Sequence, residues 1–388
     1  LNAAHSRLTV FDMADAAKQP RAGRSRKDLH DTILEDSPMK FARLALLTAL
    51  CVAPFVPAQA DTADFYRGKT INLVVGYGPG GGYDLFARLL ARYMPNHMPG
   101  KPGVVVQNMP GAASLRATNY LAVTAPKDGT VIAAFDRNMP LIAVIGGNPN
   151  VQFDPLKLTW LGTMSDSTED SFTLFMRKRA DVTGIDDLRR SGGPQITVGV
   201  TSAGATDHDV TVLLKEVLGL NIKIVPGYQD SNTIGLAVES GELDAQFVNY
   251  ISTKVGKPAW ADPKGKMQIL MQFARKTRHP ELPDVPTALE LSKNESATQM
   301  IEMAEIPYLV ARPYAAPPGI PTDRAEALQA AFMATARDPE FAKEATRINL
   351  ELTPLDAKQT LAVVQRLADI PQAQRDKLRN IMYGAPKN

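Results

Sequence analysis

From residue 70 onward, short apolar runs alternate with segments whose apolar positions recur every three to four residues. TINLVVGY (70–77) is a strand-like run, and a helix-like segment follows from Asp84 to Met94. There Leu85, Phe86, Leu89, Leu90 and Tyr93 share one face and Arg88 and Arg92 lie opposite, the helical period. VVVQN (104–108) predicts a second strand, PGAAS (110–114) a break, LRATNYLAV (115–123) a second helix and TVIAAF (130–135) a third strand. LTWLGTM (158–164) and FTLFMRK (172–178) predict strands separated by the acidic stretch SDSTED, and DDLRRSGG predicts a short helix ended by glycine. The theme then recurs. QITVGV (195–200) is a strand, TSAGAT a turn, and Asp207 to Leu218 a helix stopped by Gly219. IKIVPGY, GLAVESGEL, DAQFVNY (244–250) and KMQILMQFA (266–274) predict strand, helix, strand, strand. From Thr322 the pattern is helical, with Pro339 restarting a helix. Such alternation predicts an α/β fold with mixed, mainly parallel sheets. Residues 70–94 and 195–219 share one plan, which predicts two similar lobes, with crossings near 158–172 and 266–275. The expected organisation is a first lobe of 61–165 and 275–388 and a second lobe of 166–274.

The first 60 residues read differently. MKFARLALLTALCVAPFVPAQA (39–60) has a short basic start, an apolar run from Leu44 to Val56 and a closing Ala58-Gln59-Ala60, which predicts a secretory signal cleaved after Ala60. Its apolar run is shorter than the ~20 residues a spanning helix needs. On this reading Met39 is the expected initiator and 1–38 an over-extended, disordered leader; a long natural pre-segment is the alternative. The one cysteine, Cys51, lies inside the signal, so the expected exported part has no disulfide, thiolate metal site or cysteine nucleophile. An exported protein without disulfides fits the bacterial periplasm.

Charge narrows the partners. The chain carries a formal net charge of +2, but residues 61–388 hold 35 basic and 35 acidic residues. That balance offers no field for nucleic acid or an anionic membrane.

INLVVGYGPGGGYDLFARLL (71–90) raises a specific question, because Gly76, Gly78 and Gly81 fit G-x-G-x-x-G between a strand and a helix. A dinucleotide site also wants an acid ~20 residues on, at the end of the second strand. Gln107 and Asn108 stand there, and Pro79 interrupts the loop. No Gly-Lys-Ser/Thr follows, so a P-loop is not indicated either. No cofactor is expected. Two readings stay open, a ligand-free tight turn and an anion nest in which glycine N–H groups and the helix N-terminus converge on a carboxylate or phosphate. In the nest reading Asp84 caps the first helical turn. VGVTSAGATDHD (198–209) repeats the arrangement: Thr201, Ser202 and Thr206 are donors, and Ala203, Gly204 and Ala205 permit close approach. Two such turns suggest a ligand held between two lobes, beyond the carboxyl ends of the strands.

These segments resemble a known family. FYRGKTINLVVGYGPGGGYDLFARLLA, VVQNMPGAASLRATNYLA, APKDGTVIAA, VGVTSAGATDHD, SGELDAQF and ARKTRHPELPDVPTALEL, the last with the Pro-Asp-Val-Pro-Thr turn at 283–287, are similar to the substrate-binding proteins of tripartite tricarboxylate transporters, the Bug group of periplasmic receptors. The resemblance covers nearly all of 61–388. It implies a two-lobed Venus-flytrap fold of the periplasmic-binding-protein type, class II-like, with a small organic carboxylate held partly through ordered waters. It implies as ligand contacts Gly80, Gly81, Gly82, Tyr83 and Asp84 of the first loop and Thr201, Ser202, Ala203, Gly204, Ala205 and Thr206 of the second. It also implies delivery to a membrane transporter of one large and one small integral subunit. Gly76-Tyr77-Gly78-Pro79 stands where two prolines and a phenylalanine are usual, Tyr83 replaces Thr or Ser, and PGAAS replaces PGAGG. These departures bear on the solute, since Tyr77 and Tyr83 would line a larger or aromatic-tolerant pocket.

Further candidates sit at strand ends: Asn108, Ser114, Asp136, Arg137, Tyr228 and Asn249, with Arg116 or Arg137 as a bidentate partner for a distal carboxylate. Each has a plain alternative as a surface or hinge residue. His208 beside Ser202 and Asp207 suggests a hydrolase only superficially, because neighbours on one turn rarely converge as a triad. His97 and His279 are isolated, so no metal site is expected, and Trp160 and Trp260 read as packing residues. The expected protein is a non-enzymatic, monomeric carboxylate receptor. A sensor that hands its closed form to a kinase is the rival reading, and a secreted hydrolase the third.

Overall fold

The computed structural model describes residues 59–166, 171–348, 350 and 352–384. The expected leader and signal lie outside these residues, except that Gln59 and Ala60 begin a helix, Gln59–Tyr66. Among the described residues no helix is long and apolar enough to cross a membrane.

Two sheets organise the chain. The strands are β1 (Thr70–Val75), β2 (Gly103–Asn108), β3 (Val131–Ala134), β4 (Thr159–Thr163), β5 (Phe172–Arg177), β6 (Ile196–Gly199), β7 (Ile222–Val225), β8 (Ala245–Asn249), β9 (Met267–Phe273), β10 (Pro313–Ala316) and β11 (Leu355–Asp356). The first sheet has the order β11-β4-β10-β3-β1-β2 and the second β7-β6-β8-β5-β9. In each, a strand–helix–strand–helix–strand unit lays three parallel strands in the order second, first, third. Each sheet then takes a strand antiparallel to the third member, β10 beside β3 and β5 beside β8. The sheets are therefore mixed, and antiparallel pairs are as prominent as parallel ones. Sequence alternation reveals the parallel units but not the strands that return from the other lobe.

Burial follows from side-chain alternation. Ile71, Leu73 and Val75 of β1 face one layer with Phe86, Leu89 and Leu90 of the helix Gly82–His97, while Val74 faces the other with Phe135 and Trp160. Val131–Ala134 is buried along its whole length, as expected of a strand covered on both faces. The second sheet is covered likewise, by the helix Thr206–Leu218 on one face and by the helix Ser231–Ser240 with Trp260 on the other. Gly219 ends the first of these helices in the left-handed region (φ 69°), returning its N–H to Lys215 O. Both tryptophans are packing residues: the Trp160 indole donates to Pro155 O and that of Trp260 to Glu239 Oε1.

Three expected features differ. LRATNYLAV is not one helix but a short α-helix, Leu115–Asn119, running into a wide π turn, Tyr120–Thr124. The stretch near 266–275 is not a crossing, since β9 stays in the second sheet and the chain rejoins the first only at β10. Within 275–388, Met300, Ile301, Met303 and Tyr308, and also Leu378 and Met382 of the last helix, share the core of the second sheet. Apolar faces at these positions satisfy the helical period against either lobe, so sequence alone does not choose between them.

Candidate functional site

The glycine loop after β1 is held from below. Gly76 N–H donates to Ala134 O of β3. The Asp84 carboxylate does not cap the first helical turn as expected. It accepts from Gly80 N–H at 2.8 Å, from Arg88 Nε at 2.8 Å and from Asn108 Nδ2 at 2.8 Å. Burial opposes its ionisation, but these bonds outweigh burial and hold the carboxyl below its usual range. Asn108 also donates to Tyr77 O. Asp84 and Asn108 thus shape the loop from its underside. The helix Gly82–His97 begins at Gly81 with no side-chain cap, leaving its N-terminal partial charge for whatever occupies the space above.

Two tyrosines of the loop stack, with ring centroids 5.0 Å apart and planes 25° from parallel. Tyr77 donates its hydroxyl to Asp136 Oδ2. The Tyr83 hydroxyl accepts from Arg137 N–H at 3.0 Å and donates to Ala311 O at 3.1 Å. Asp136 Oδ1 accepts from Asn138 N–H at 2.7 Å and from Thr206 Oγ1 of the second lobe at 2.8 Å. Burial is the leading influence on Asp136 and pushes its carboxyl above the usual range despite Arg137 and these donors. The Arg137 guanidinium lies over the Tyr308 ring, 4.6 Å from its centroid. Arg312 lies over Phe86 at 4.5 Å and donates to Ser165 Oγ at 2.8 Å.

The second-lobe turn is more self-contained than expected. Thr201 gives both its N–H and its hydroxyl to Asp207, each at 2.7 Å. Gly204 N–H donates to Asp209 Oδ1, and Asp209 also takes Asn138 Nδ2 and the Tyr383 hydroxyl. Burial pushes Asp207 up to about 6, against the pull of its Thr201 bonds.

Between the two turns lies a cavity of about 160 Å³. The first lobe lines it with Tyr77, Gly78, Gly81, Gly82, Tyr83, Asp136, Arg137 and Arg312; the second supplies Phe172, Thr201, Thr206, Asp207, Asp230, Ser231, Phe247, Val248, Asn249 and Ser252. A wider recess of about 600 Å³ adjoins it through Tyr77, Gly78, Thr201 and Asp230 and adds Ser114, Ser202 and Tyr228. Of the expected site residues, Tyr77, Gly81, Gly82, Tyr83, Asp136, Arg137, Thr201, Thr206 and Asn249 meet at the cavity. Ser114, Ser202 and Tyr228 reach only the recess, where Tyr228 donates to Glu242. Gly80, Asp84, Asn108, Ala203, Gly204 and Ala205 line neither. Arg116 packs its aliphatic part against Gly111, and the His208 ring meets the Asp209 carboxylate 2.8 Å away. Among the described residues no group of three or more His, Cys, Asp or Glu side chains is placed to hold a metal ion.

Sequence reasoning missed Phe172, Asp207, Asp230, Phe247 and Arg312 as cavity residues. Phe172 and Arg312 sit where the inserted antiparallel strands begin, and Asp230 opens the helix Ser231–Ser240. The carboxyl-end rule that selected Asn249 passes over Phe172 and Arg312, which enter at the amino ends of antiparallel strands. A larger depression, about 820 Å³, lies on the flank of the second lobe around Glu305, but neither glycine loop reaches it.

Residues 86–374 match the tripartite tricarboxylate transporter family receptor. The chain belongs to that family. Membership makes it a receptor of that transporter family, not an enzyme. Its relatives include the protein BugT of Bordetella pertussis strain Tohama I, 26% identical over 66% of this chain and 76% of that one. Its fold is similar to that of the periplasmic binding protein BugD, with a TM-score of 0.62 and 21% identity over 81% of this chain and 98% of that one. It is equally similar to Rpa4515 of R. palustris with adipate, with a TM-score of 0.61 and 21% identity over 82% of this chain and 99% of that one. The receptor shares with these structures the two-lobed mixed α/β architecture.

Proposed function

We propose that this receptor captures a small organic carboxylate between its two lobes and delivers it to a tripartite transporter with one large and one small integral subunit. The observation that carries the reading is the cavity itself. Gly81, where the uncapped helix begins, and the residues Arg137 and Arg312 line one small space, and a helix start and two arginines favour an anion. The opposite wall comes from the other lobe, so a ligand that touches both walls favours the closed arrangement over any open one. The structure with adipate belongs to a relative by fold, and a carboxylate is the solute class that likeness suggests. Export of the chain through the segment 39–60 is part of the same reading.

The test is thermal unfolding of the purified protein against a panel of carboxylates, with NAD and ATP as controls. A true ligand at ~100 times its dissociation constant adds about 2.7 kcal/mol of stability. A shift with one class of acid supports the proposal. A shift with NAD alone defeats it.

A further inference from the structure

The cavity is electrically two-sided. Its first-lobe wall is cationic, with Arg137, Arg312 and the start of the helix Gly82–His97. Its second-lobe wall carries two carboxylates, Asp207 and Asp230. Asp136, the first-lobe acid, is already engaged by Tyr77, Asn138 and Thr206. The second-lobe acids keep acceptor capacity. Asp230 takes Thr233 N–H and the Thr233 hydroxyl on Oδ1 alone, and Asp207, with two Thr201 donors and His208 N–H on its two oxygens, keeps one of its four lone pairs. A dicarboxylate spanning this space would set its distal charge against two like charges. A molecule with a carboxylate at one end and an ammonium beside it would match both walls.

Size and apolar lining narrow the class further. The cavity holds about 160 Å³ and continues into the recess of about 600 Å³ past Tyr77, Gly78, Thr201 and Asp230, so the space between the two charged walls is small and opens on one side through that recess. Phe172 and Phe247, stacked 5.9 Å apart, and Val248 complete the second-lobe wall. We propose that the solute is a free amino acid with a compact apolar side chain: its carboxylate meets Arg137, Arg312 and the Gly81 helix start, its ammonium meets Asp207 and Asp230, and its side chain lies against Phe172, Phe247 and Val248. The proposal rests on the receptor reading above and sharpens it.

The experiment is titration calorimetry on the purified protein, unfolded and refolded to remove any carried ligand. The probes are alanine, valine and leucine, the des-amino partner isovalerate, and succinate, adipate and aspartate. The expected result is that one apolar amino acid binds most tightly, with the valine-to-isovalerate preference at least ten-fold. Asp230→Asn, which keeps the oxygen that accepts from Thr233, should remove most of that preference. Tighter binding of succinate, adipate or isovalerate than of every amino acid overturns this inference and leaves the carboxylate receptor intact. Tightest binding of aspartate overturns the apolar assignment. Binding of none of the probes overturns this inference, and the carboxylate reading is then decided by the wider panel of acids above.

Discussion

Asn138 Nδ2 donates to Asp209 Oδ2 at 2.7 Å, joining the turn after β3 in the first lobe to the helix Thr206–Leu218 in the second. Both residues are buried. The same Asp209 oxygen accepts from the Tyr383 hydroxyl at 2.7 Å, so the last helix closes the junction as well. Asn138→Ala removes an amide that serves both Asp209 and Gly204 O and should lower stability by about 1–3 kcal/mol. Asp209→Ala strands several donors at once and should cost at least ~3 kcal/mol. Urea unfolding of the single and double variants should give a coupling energy of about 0.5–3 kcal/mol between the two positions. Additive losses would mean the bond does not join the lobes energetically.

Gly81→Asp separates binding from folding. Gly81 has an extended-side φ of −79°, and a Cβ there would meet open space. The variant should therefore fold with unchanged stability. Its carboxylate would stand at the helix start that faces the cavity, where it supplies a like charge against a carboxylate solute. Affinity should fall at least about a hundred-fold, the size of a lost 2.7 kcal/mol. Calorimetry alongside a denaturation curve checks both halves; unchanged affinity would remove the loop from the site.

Glu305 sets a pH dependence remote from the cavity. Burial pushes its carboxyl up to about 8, with Glu302 adding to the rise and the Ala274 N–H bond and Lys276 opposing it. Below its unfolded value of 4.5 the group is protonated folded or unfolded and costs nothing. As pH rises from 4.5 towards 8 the unfolded chain releases the proton first, so stability falls across that window and the loss is complete above it. Asp207, raised to about 6, gives a slope of the same sign at lower pH. Glu305→Gln should flatten the profile between pH 6 and 8 and leave the variant the more stable protein at pH 9. Parallel profiles for the two proteins would show that Glu305 ionises normally.

How much of this was legible beforehand follows from where each signal resides. The loop from Gly76 to Gly82 and its helix could be read because glycine run, apolar strand and amphipathic period are contiguous. The twin turn at Thr201–Thr206 could be read because it repeats that plan. What could not be read is which donors the protein uses on itself. Thr201 and Thr206 look like anion donors in sequence, yet Asp207 and Asp136 take their hydroxyls. Asp136 reaches Thr206 across 70 positions of chain. Arg312 lines the cavity only because β10 inserts between β3 and β4, a pairing that no local period encodes.

The turn Gly111–Ser114 carries backbone strain that two substitutions can expose. Ala112, Ala113 and Ser114 are consecutive non-glycine residues in the left-handed region, at φ 46°, 55° and 77°. A left-handed residue with a Cβ costs roughly 1–2 kcal/mol. Ser114 Oγ is also buried without a hydrogen-bond partner among the described residues. The side chain sits against Gly76, where a Cβ would come within 2.5 Å of Ser114 Cβ. Gly76→Ala should therefore destabilise by about 1–3 kcal/mol through overpacking. Ser114→Gly should be neutral or stabilising by up to about 1 kcal/mol, because it relieves one strained residue and removes an unpaired hydroxyl. The double variant should recover part of the Gly76→Ala loss but not all, since Ser114 Cα would still lie 3.1 Å from the new Cβ. Thermal unfolding of the three proteins distinguishes this from the alternative, in which Ser114 is stabilising and its replacement by glycine deepens the Gly76→Ala defect.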